Sequence, residues 1–272
     1  MASGMTSEFR KLHEGPGAFL IPNPWDIGTA KVLAALGFKA LATTSAGFAF
    51  SRGLPDGGVP FEVRMAHCRE IVGATELPVS ADLEKGKGDT PDSAGETIFA
   101  AEAAGLAGCS IEDSTGDQRK PIYDFGLAVE RVAAAAEAAR ALNRDFVFTA
   151  RCENFFQGKH DIDDTIKRLQ AYERAGADVL YAPGLTDIET VRAVCSAVSK
   201  PVNVLAVHQL SLRELSAAGV RRVSLGSRLT NHAFAGLEKA CREMLDYGTF
   251  TFARETMALG SLQAFFSRDA AK

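Results

Sequence analysis

The chain has 272 residues, 46% of them hydrophobic and 24% charged, a balance typical of a globular protein and not of a disordered one. The formal net charge is −4 and the basic residues are not clustered, so we expect no nucleic-acid partner. No apolar run reaches about 18 residues, and residues 1–11 lack the apolar segment of a secretory signal, which argues against a membrane span or export. Five scattered cysteines without a CxxC pair favour the reducing cytoplasm.

An Ala-rich stretch with helical periodicity ends in a glycine at four places, namely Gly37, Gly105, Gly176 and Gly219. A short apolar run follows each of these glycines after a few residues. Glycine accepts the left-handed conformation that ends a helix, so each segment has the form helix, turn, buried strand. This repeat predicts helices and strands that alternate along the chain.

Eight apolar runs are candidate strands, and their spacing of roughly 29 residues is the size of one βα unit. The runs are apolar on both faces, as in parallel strands covered by helices. We therefore predict one α/β domain over residues 1–272, a (β/α)8 TIM barrel. A doubly wound sheet is the alternative, although residues 22–26 are not its Gly-rich phosphate turn. The predicted strands are residues 18–22, 39–44, 77–81, 108–111, 146–150, 179–181, 202–206 and 222–225.

The C-terminal part of the chain extends beyond the eighth predicted strand. Residues 229–247 form one predicted helix and residues 252–266 a second one, which carries Phe252, Phe265 and Phe266. So apolar a helix must pack either on its own barrel or on a neighbouring subunit. We assign residues 229–272 to C-terminal helices for subunit packing.

Acidic residues follow two neighbouring predicted strands, at the barrel end where active sites lie. The third strand leads to Asp82 and Glu84, and the fourth to Glu112 and Asp113. Such carboxylates repel one another unless a cation lies among them, and oxygen ligands suit Mg²⁺ or Mn²⁺. The alternative is that these acids cap the next helices, and the sequence leaves open whether Glu112 or Asp113 points inward.

Arg151 follows the fifth strand, where its guanidinium suits a substrate carboxylate or phosphonate. Its alternative role is a structural pair with Glu153. The segment after the second strand, Ser45-Ala46-Gly47, forms either an ordinary turn or a nest of backbone N–H groups for an oxyanion. The residues assigned to substrate binding are Ser45, Ala46, Gly47, Asp82 and Arg151.

Six short motifs occur together in a characteristic order and spacing. They are Asn23-Pro24-Trp25-Asp26, Thr44-Ser45-Ala46-Gly47, Gly53-Leu54-Pro55-Asp56, Asp82-Leu83-Glu84, Ile111-Glu112-Asp113 and Thr149-Ala150-Arg151. In these motifs the chain resembles the isocitrate lyase/phosphoenolpyruvate mutase superfamily, over roughly residues 18–245. The resemblance implies a (β/α)8 barrel whose last helix is exchanged between subunits, in a homotetramer built as a dimer of dimers.

The resemblance also implies a substrate class and a metal. Substrates would be α-keto or α-hydroxy acids, whose C–C or P–C bonds are made or broken next to an enolate. Mg²⁺ would be held by Asp82, with Glu84 and Glu112 acting largely through bound water. Ser45 and Gly47 would hold the substrate carboxylate, with a contribution from Arg151.

A loop acid and a mobile gate complete what the resemblance implies. Asp56 corresponds to the acid near the reacting centre, and residues 115–123 correspond to the gate. Isocitrate and methylisocitrate lyases carry Lys-x-Cys-Gly-His in that gate, whereas this gate has no cysteine or histidine. Lys120 can protonate an enolate in their place, and the alternative is that it is a solvated loop charge. We assign Asp56, Lys120 and Arg151 as catalytic.

These observations lead to a functional hypothesis with two alternatives. We expect a Mg²⁺-dependent lyase or decarboxylase that cleaves a C–C bond of a small α-keto or α-hydroxy (di)carboxylate through an enolate intermediate, with an oxaloacetate-like or malate-like substrate. P–C bond chemistry on phosphonopyruvate, by a mutase or a hydrolase, is one alternative. The other is a barrel that binds keto acids without efficient turnover. Pro183-Gly184, which stands where the lyases have Pro-Glu, leaves the exact substrate open.

Overall fold

The computed structural model describes residues 2–267, with side chains from residue 8 onward. Residue 1 and residues 268–272, which the predicted domain of 1–272 and its C-terminal part of 229–272 include, lie outside the described residues. All eight predicted strands are confirmed, with ends that differ by a few residues. They are β1 (Phe19–Ile21), β2 (Leu41–Ala42), β3 (Val79–Asp82), β4 (Gly108–Glu112), β5 (Val147–Arg151), β6 (Val179–Tyr181), β7 (Val202–Leu205) and β8 (Arg222–Ser224).

The strands form one parallel sheet in the order β1-β8-β7-β6-β5-β4-β3-β2. Within residues 2–267 no ladder joins β1 to β2, but the N–H of Ala42 donates to the carbonyl of Pro22 at 3.0 Å. The sheet is therefore a nearly closed (β/α)8 TIM barrel, which confirms the predicted fold class and excludes the doubly wound alternative.

Helices cover the outside of the barrel, and most of the apolar core lies between them and the strands. Helices with a side-chain cap include one that begins after Thr90, whose hydroxyl accepts from the N–H of Ser93 at 3.2 Å. The helices between the strands are α2 (Ile27–Ala35), α3 (Ser45–Ser51), α4 (Phe61–Gly73), α5 (Pro91–Ala103), α6 (Phe125–Ala141), α7 (Ile162–Ala175), α8 (Ile188–Ala197) and α9 (Leu212–Ala217).

A further helix, α1 (Ala2–Glu14), precedes the barrel and was not predicted from the sequence. Its Phe9 is fully buried and packs with Val147 and Val179, the first residues of β5 and β6. Arg10 of the same helix donates to Asp145 and Asp178 at 2.7 and 2.9 Å. Helix α1 therefore covers the N-terminal end of the barrel.

The four glycines that mark the repeat have the predicted backbone conformation. Their φ angles are 95° at Gly37, 84° at Gly105, 107° at Gly176 and 100° at Gly219. Residues with a Cβ rarely adopt these angles, so each glycine allows the chain to leave a helix and enter the next strand.

The C-terminal part of the chain follows β8 as α10 (Arg228–Tyr247), a 3₁₀ helix (Thr251–Glu255) and α11 (Leu259–Ser267). The predicted second helix over 252–266 is therefore wrong in its first half, because extended backbone at Thr256 separates the two short helices. Helix α11 packs on α2 of the same chain, where the ring of Phe266 lies beside Gly28. Most of α10 is exposed, and exchange of a helix with another subunit is not shown. No helix within residues 2–267 is long and apolar enough to cross a membrane.

Candidate active site

Two adjoining cavities lie at the C-terminal end of the barrel. The inner one, of about 250 Å³, reaches down between the strands, and the outer one, of about 650 Å³, lies beneath the predicted gate. Ser45, Asp56, Arg151 and Phe156 line both cavities, so the two form one continuous space. The motifs at the ends of β2, β3, β4 and β5 thus meet at one site, as predicted.

Asp82 ends β3 and lies at the centre of this site. The Ser45 hydroxyl donates to its Oδ2 at 2.9 Å, and Arg151 Nη1 donates to its Oδ1 at 3.3 Å. The Asp82 backbone N–H is fixed by a bond to Thr43 Oγ1 at 3.2 Å. Residues at the ends of β2 and β5 therefore hold this carboxylate and its backbone in one orientation.

Glu84 lies beside Asp82 in an unusual backbone conformation. Its φ angle is +52°, the one positive value at a non-glycine residue in the part of the chain that the structure describes. Arg64 of α4 pairs with its Oε2 at 2.5 Å. Burial raises the pKa of Glu84 to about 7, and the charges of Asp82 and Asp56 act in the same direction, against Arg64.

The structure places Glu112 in the site and Asp113 behind it. Arg151 Nη1 lies 3.3 Å from Glu112 Oε2, and burial raises the pKa of Glu112, opposed by Arg151. Asp113 is buried on the other side of the strand, where it accepts from Tyr172 at 2.6 Å and pairs with Arg168 at 3.2 Å. Asp113 therefore supports the barrel wall and does not line the inner or outer cavity.

The alternative that these acids cap the next helices is wrong. The residues at the caps are Thr90 for α5 and Asp124 for α6, both well beyond the strand ends. Asp82, Glu84 and Glu112 instead face arginine side chains at the mouth of the barrel.

Arg151 is the cation among these acids. Its Nη1 contacts Asp82 and Glu112, its Nε donates to Glu153, and its guanidinium lies over the Tyr181 ring at 5.3 Å. The proposed structural pair with Glu153 thus exists, together with the contacts to the site. Burial opposes its charge, but the carboxylates around Arg151 raise its pKa well above the ordinary value. Its Nη2 donates to no group within residues 2–267.

The segment after β2 forms the start of α3. Thr44 caps this helix, because its hydroxyl accepts from the N–H of Gly47 at 3.1 Å. Gly47 is buried behind the wall, and a Cβ there would lie 2.4 Å from Thr230 Oγ1. Ser45 and Ala46 line the inner cavity, and their N–H groups have no acceptor in the described part of the chain. The structure therefore places Ser45 and Ala46, but not Gly47, against the cavity.

The two remaining predicted residues differ in position. Asp56 lines both cavities, and the N–H of Gly57 donates to its Oδ1 at 3.0 Å. Lys120 lies in the exposed gate loop, where its Nζ pairs with Asp124 at 2.5 Å, and it lines neither cavity. The loop is bonded to itself, since the N–H of Thr115 donates to the carbonyl of Pro121 at 2.9 Å.

Several residues of the site were missed by sequence reasoning. Arg64, which pairs with Glu84, comes from the middle of α4. Lys85 lines the outer cavity and donates to the Thr115 carbonyl at 2.9 Å. Tyr181 and Arg222 line the inner cavity from β6 and β8. A charged residue inside an apolar strand, as at Arg222, is a sequence signal that could have been used.

The carboxylates of the site suit a divalent cation that keeps several water ligands. Asp82, Glu84, Glu112 and Glu153 face two guanidinium groups, those of Arg64 and Arg151, so the carboxyl groups outnumber the cations among them. Within residues 2–267, no three carboxylate, imidazole or thiol groups lie close enough to enclose an ion by themselves. Mg²⁺ keeps several water ligands and needs only one or two carboxylates, so this oxygen donor set fits it.

Comparison with known proteins identifies the family. The sequence model of phosphoenolpyruvate phosphomutase matches residues 9–245, which is most of the chain. The chain belongs to the phosphoenolpyruvate phosphomutase family. The match covers the barrel and α10, and it confirms the resemblance drawn from the six motifs.

Related members of this family include lyases. The 2-methylisocitrate lyase of Escherichia coli K12 is 31% identical over 174 residues, 61% of this chain and 57% of that protein. A solved 2,3-dimethylmalate lyase of the phosphoenolpyruvate mutase/isocitrate lyase superfamily is 26% identical, with a TM-score of 0.84 over 98% of this chain and 96% of that one. A solved Burkholderia cenocepacia J2315 protein, named in general terms as a lyase/mutase, is 51% identical, with a TM-score of 0.95 over 98% and 96%. The chain is thus an enzyme of this superfamily.

Proposed function

We propose that this enzyme is a Mg²⁺-dependent lyase that breaks a C–C bond of a small α-keto or α-hydroxy acid, with an oxaloacetate-like or malate-like substrate. The observation that carries the proposal is the convergence of Asp82, Ser45 and Arg151 on one cavity wall, beside unpaired N–H groups. A carboxylate, a hydroxyl and a guanidinium in this arrangement suit the keto-acid end of a substrate.

The chain's own groups bind the substrate head. Ser45 and Ala46 line the cavity, and their N–H groups would donate to a substrate carboxylate and orient it against the end of β2. Arg151 supplies its remaining Nη2 to the same carboxylate, while Asp82, Glu112 and Glu153 hold the guanidinium in place. These fixed donors would keep the substrate head in place while the adjacent bond breaks.

Asp82 would hold the metal directly, with Glu84 and Glu112 acting through water. When bound, Mg²⁺ supplies a Lewis acid that polarises a keto or hydroxyl oxygen. Glu84 and Glu112 are kept in place by Arg64 and Arg151, respectively, so their orientation does not depend on the metal. Mn²⁺ has similar ligand preferences and would occupy the same residues.

Proton transfer is assigned to Asp56 and Lys120. Asp56 lies where the two cavities meet, so it can take the proton of a substrate hydroxyl before the C–C bond breaks. Lys120 must leave its pair with Asp124 before it can return a proton to the enolate carbon. Its role therefore requires a movement of the gate, residues 115–123.

The test is an activity assay of the purified enzyme with Mg²⁺ on four substrates. Cleavage of 2,3-dimethylmalate or 2-methylisocitrate to a keto acid, or of oxaloacetate either to pyruvate or to oxalate and acetate, supports the proposal. Turnover of phosphonopyruvate alone would overturn it in favour of P–C chemistry. Tight binding of keto acids without turnover of any of the four would overturn it in favour of a binding protein.

We also propose that the C-terminal helices pack against a second copy of this chain, within a homotetramer. Leu237, Leu245 and Phe250 are 59%, 85% and 66% exposed, too much apolar surface on one segment for an isolated subunit. Deletion of residues 249–272 should therefore lower the molar mass measured by light scattering, or the solubility. A truncated protein that stays a soluble tetramer would contradict this assembly.

A further inference from the structure

The inner cavity extends below the metal-site acids, into the interior of the barrel. The inward positions there are occupied by small residues of neighbouring strands, Ala42, Ser80, Ser110 and Ser224. Interiors of TIM barrels are usually filled with bulky branched side chains. This barrel therefore leaves polar space beneath the substrate head, which the proposed chemistry at Asp82 does not use.

Arg222 lies at the floor of this space. It is the first residue of β8, is only 5% exposed, and lines the inner cavity. Its Nε donates to Asn203 Oδ1 at 2.9 Å, its Nη2 to Thr149 Oγ1 at 2.9 Å, and its Nη1 contacts His13 Nε2 at 3.2 Å. All three partners are uncharged, and no carboxylate of residues 8–267 pairs with Arg222.

His13 is uncharged, because one of its ring nitrogens donates a hydrogen bond and the other accepts one. Its Nδ1 lies 2.9 Å from the carbonyl of Phe9, which only accepts, so Nδ1 carries the hydrogen and Nε2 accepts from Arg222. Burial, reinforced by the charge of Arg222, lowers the pKa of His13 to about 3. The guanidinium keeps its own proton, because burial lowers the pKa of Arg222 only to about 10. At neutral pH the floor therefore carries one positive charge without a counter-ion.

An uncompensated buried charge is costly, and two of the five N–H groups of Arg222 have no acceptor within the described residues. We propose that Arg222 forms a subsite for a carboxylate, with the Ser110 and Ser224 hydroxyls in the wall above it. An anion there would neutralise the guanidinium and accept its remaining hydrogen bonds.

The position of the subsite suggests which carboxylate occupies it. Thr149, which contacts Arg222, precedes Arg151 by two residues on β5, a rise of about 6.6 Å along the strand. A four- or five-carbon dicarboxylate spans this distance with one end at Arg151 and the other at Arg222. The assignment of the anion to the substrate itself rests on the proposed function, and it places the second carboxylate of a dicarboxylate substrate at Arg222.

Binding measurements with two inert keto acids test the subsite. Pyruvate and 2-oxoglutarate share the keto-acid head, and 2-oxoglutarate adds a second carboxylate. By calorimetry in the presence of Mg²⁺, the native enzyme should bind 2-oxoglutarate more tightly than pyruvate by about tenfold or more, as expected for a charge-assisted contact. Arg222→Met should abolish this preference and leave pyruvate affinity nearly unchanged.

Two further variants keep the test decisive. Arg221→Gln removes a charge at the neighbouring position, where the side chain donates to the carbonyls of Gly15 and Gly17, and should preserve the preference. If Arg222→Met does not fold, as judged by near-ultraviolet circular dichroism, Ser110→Val narrows the space from the opposite wall. That variant should weaken binding of 2-oxoglutarate but not of pyruvate.

Three outcomes would overturn the inference. An equal affinity of the native enzyme for both keto acids would exclude the subsite, and so would a preference that survives in a folded Arg222→Met variant. Added acetate that strengthens pyruvate binding in the native enzyme would assign the subsite to a separate anion and not to the substrate. None of these measurements depends on turnover, so an enzyme inactive on all four substrates would refute the lyase proposal without deciding on Arg222.

Discussion

Both ends of the barrel carry an arginine among carboxylates, but the two arginines differ in how completely they are bonded. At the N-terminal end, Arg10 uses all three nitrogens, on Asp145, Asp178 and the carbonyl of Phe146. At the C-terminal end, Arg151 leaves one nitrogen directed to no group of residues 2–267, although three carboxylates surround it. We infer that the Arg10 cluster, in which every nitrogen is bonded, holds α1 against the barrel. The Arg151 cluster, in which one nitrogen lacks a partner within the described residues, is available to bind a ligand.

The largest effect should follow a change at the C-terminal cluster. Asp82→Ala removes the proposed direct metal ligand and the acceptor of Ser45, so kcat/KM should fall by about 10³-fold or more. Calorimetry with oxalate present should show that Mg²⁺-dependent binding is lost as well. Unchanged metal affinity in this variant would contradict the assignment of Asp82.

A smaller effect is expected in the gate. Lys120→Ala should lower kcat on the order of 10²-fold and leave Mg²⁺ binding intact, as for loss of a general acid. Asp124→Asn is the matched control, because it breaks the same pair but leaves the lysine free to move. Native kinetics in Lys120→Ala, with loop proteolysis unaffected by ligand, would show that proton transfer lies elsewhere.

At the N-terminal end, a change should affect stability and not catalysis. Arg10→Met leaves Asp145 and Asp178 without their shared partner, and should lower the free energy of unfolding by about 1 kcal/mol after screening by solvent. Urea denaturation measures this loss, while kcat and KM should stay at native values. A marked change of kcat would contradict the purely structural role that we assign to the Arg10 cluster.

At neutral pH the smallest effect is that of His13, because it appears only in acid. The pKa of His13 is lowered by burial from 6.5 to about 3, so the unfolded chain takes up a proton below about pH 6.5 while the native enzyme does not. Stability should therefore fall as the pH drops from 6.5 towards 3, by at most about 1.4 kcal/mol per pH unit from this group.

His13→Gln should reduce this slope in urea titrations at several pH values. His208→Gln is the control, since His208 is exposed and lies outside both cavities. An identical slope in His13→Gln and the native enzyme would show that other groups cause the acid sensitivity.

The sequence was sufficient for features that depend on local periodicity. Eight apolar runs and four left-handed glycines predicted the barrel, and the barrel rule brought Asp82, Glu84 and Glu112 to one mouth. In a TIM barrel, the residues at the C-terminal end of each strand line the mouth of the barrel. Active-site candidates can therefore be found from their position after a predicted strand.

The features that could not be predicted depend on contacts between distant residues. Arg64 reaches Glu84 from a helix face with no pattern that marks it, and Arg222 meets Thr149 across the barrel. The second C-terminal helix was predicted over residues 252–266 because apolar residues continue through it, but extended backbone at Thr256 divides that segment. Sequence periodicity predicts which residues are buried, but it does not predict which side chains contact each other in the folded chain.

The left-handed backbone of Glu84 has a consequence for how this enzyme could change over generations. A glycine would relieve a conformational cost of about 1 kcal/mol or more at this position, but it would also leave the buried Arg64 guanidinium without its carboxylate partner, which costs more. Selection for stability and selection for activity therefore act in the same direction, because the same backbone twist directs the side chain at Arg64 and at the mouth of the barrel. Glu84 is therefore a position at which a strained backbone can persist over generations, since the residue that removes the strain also removes the ion pair.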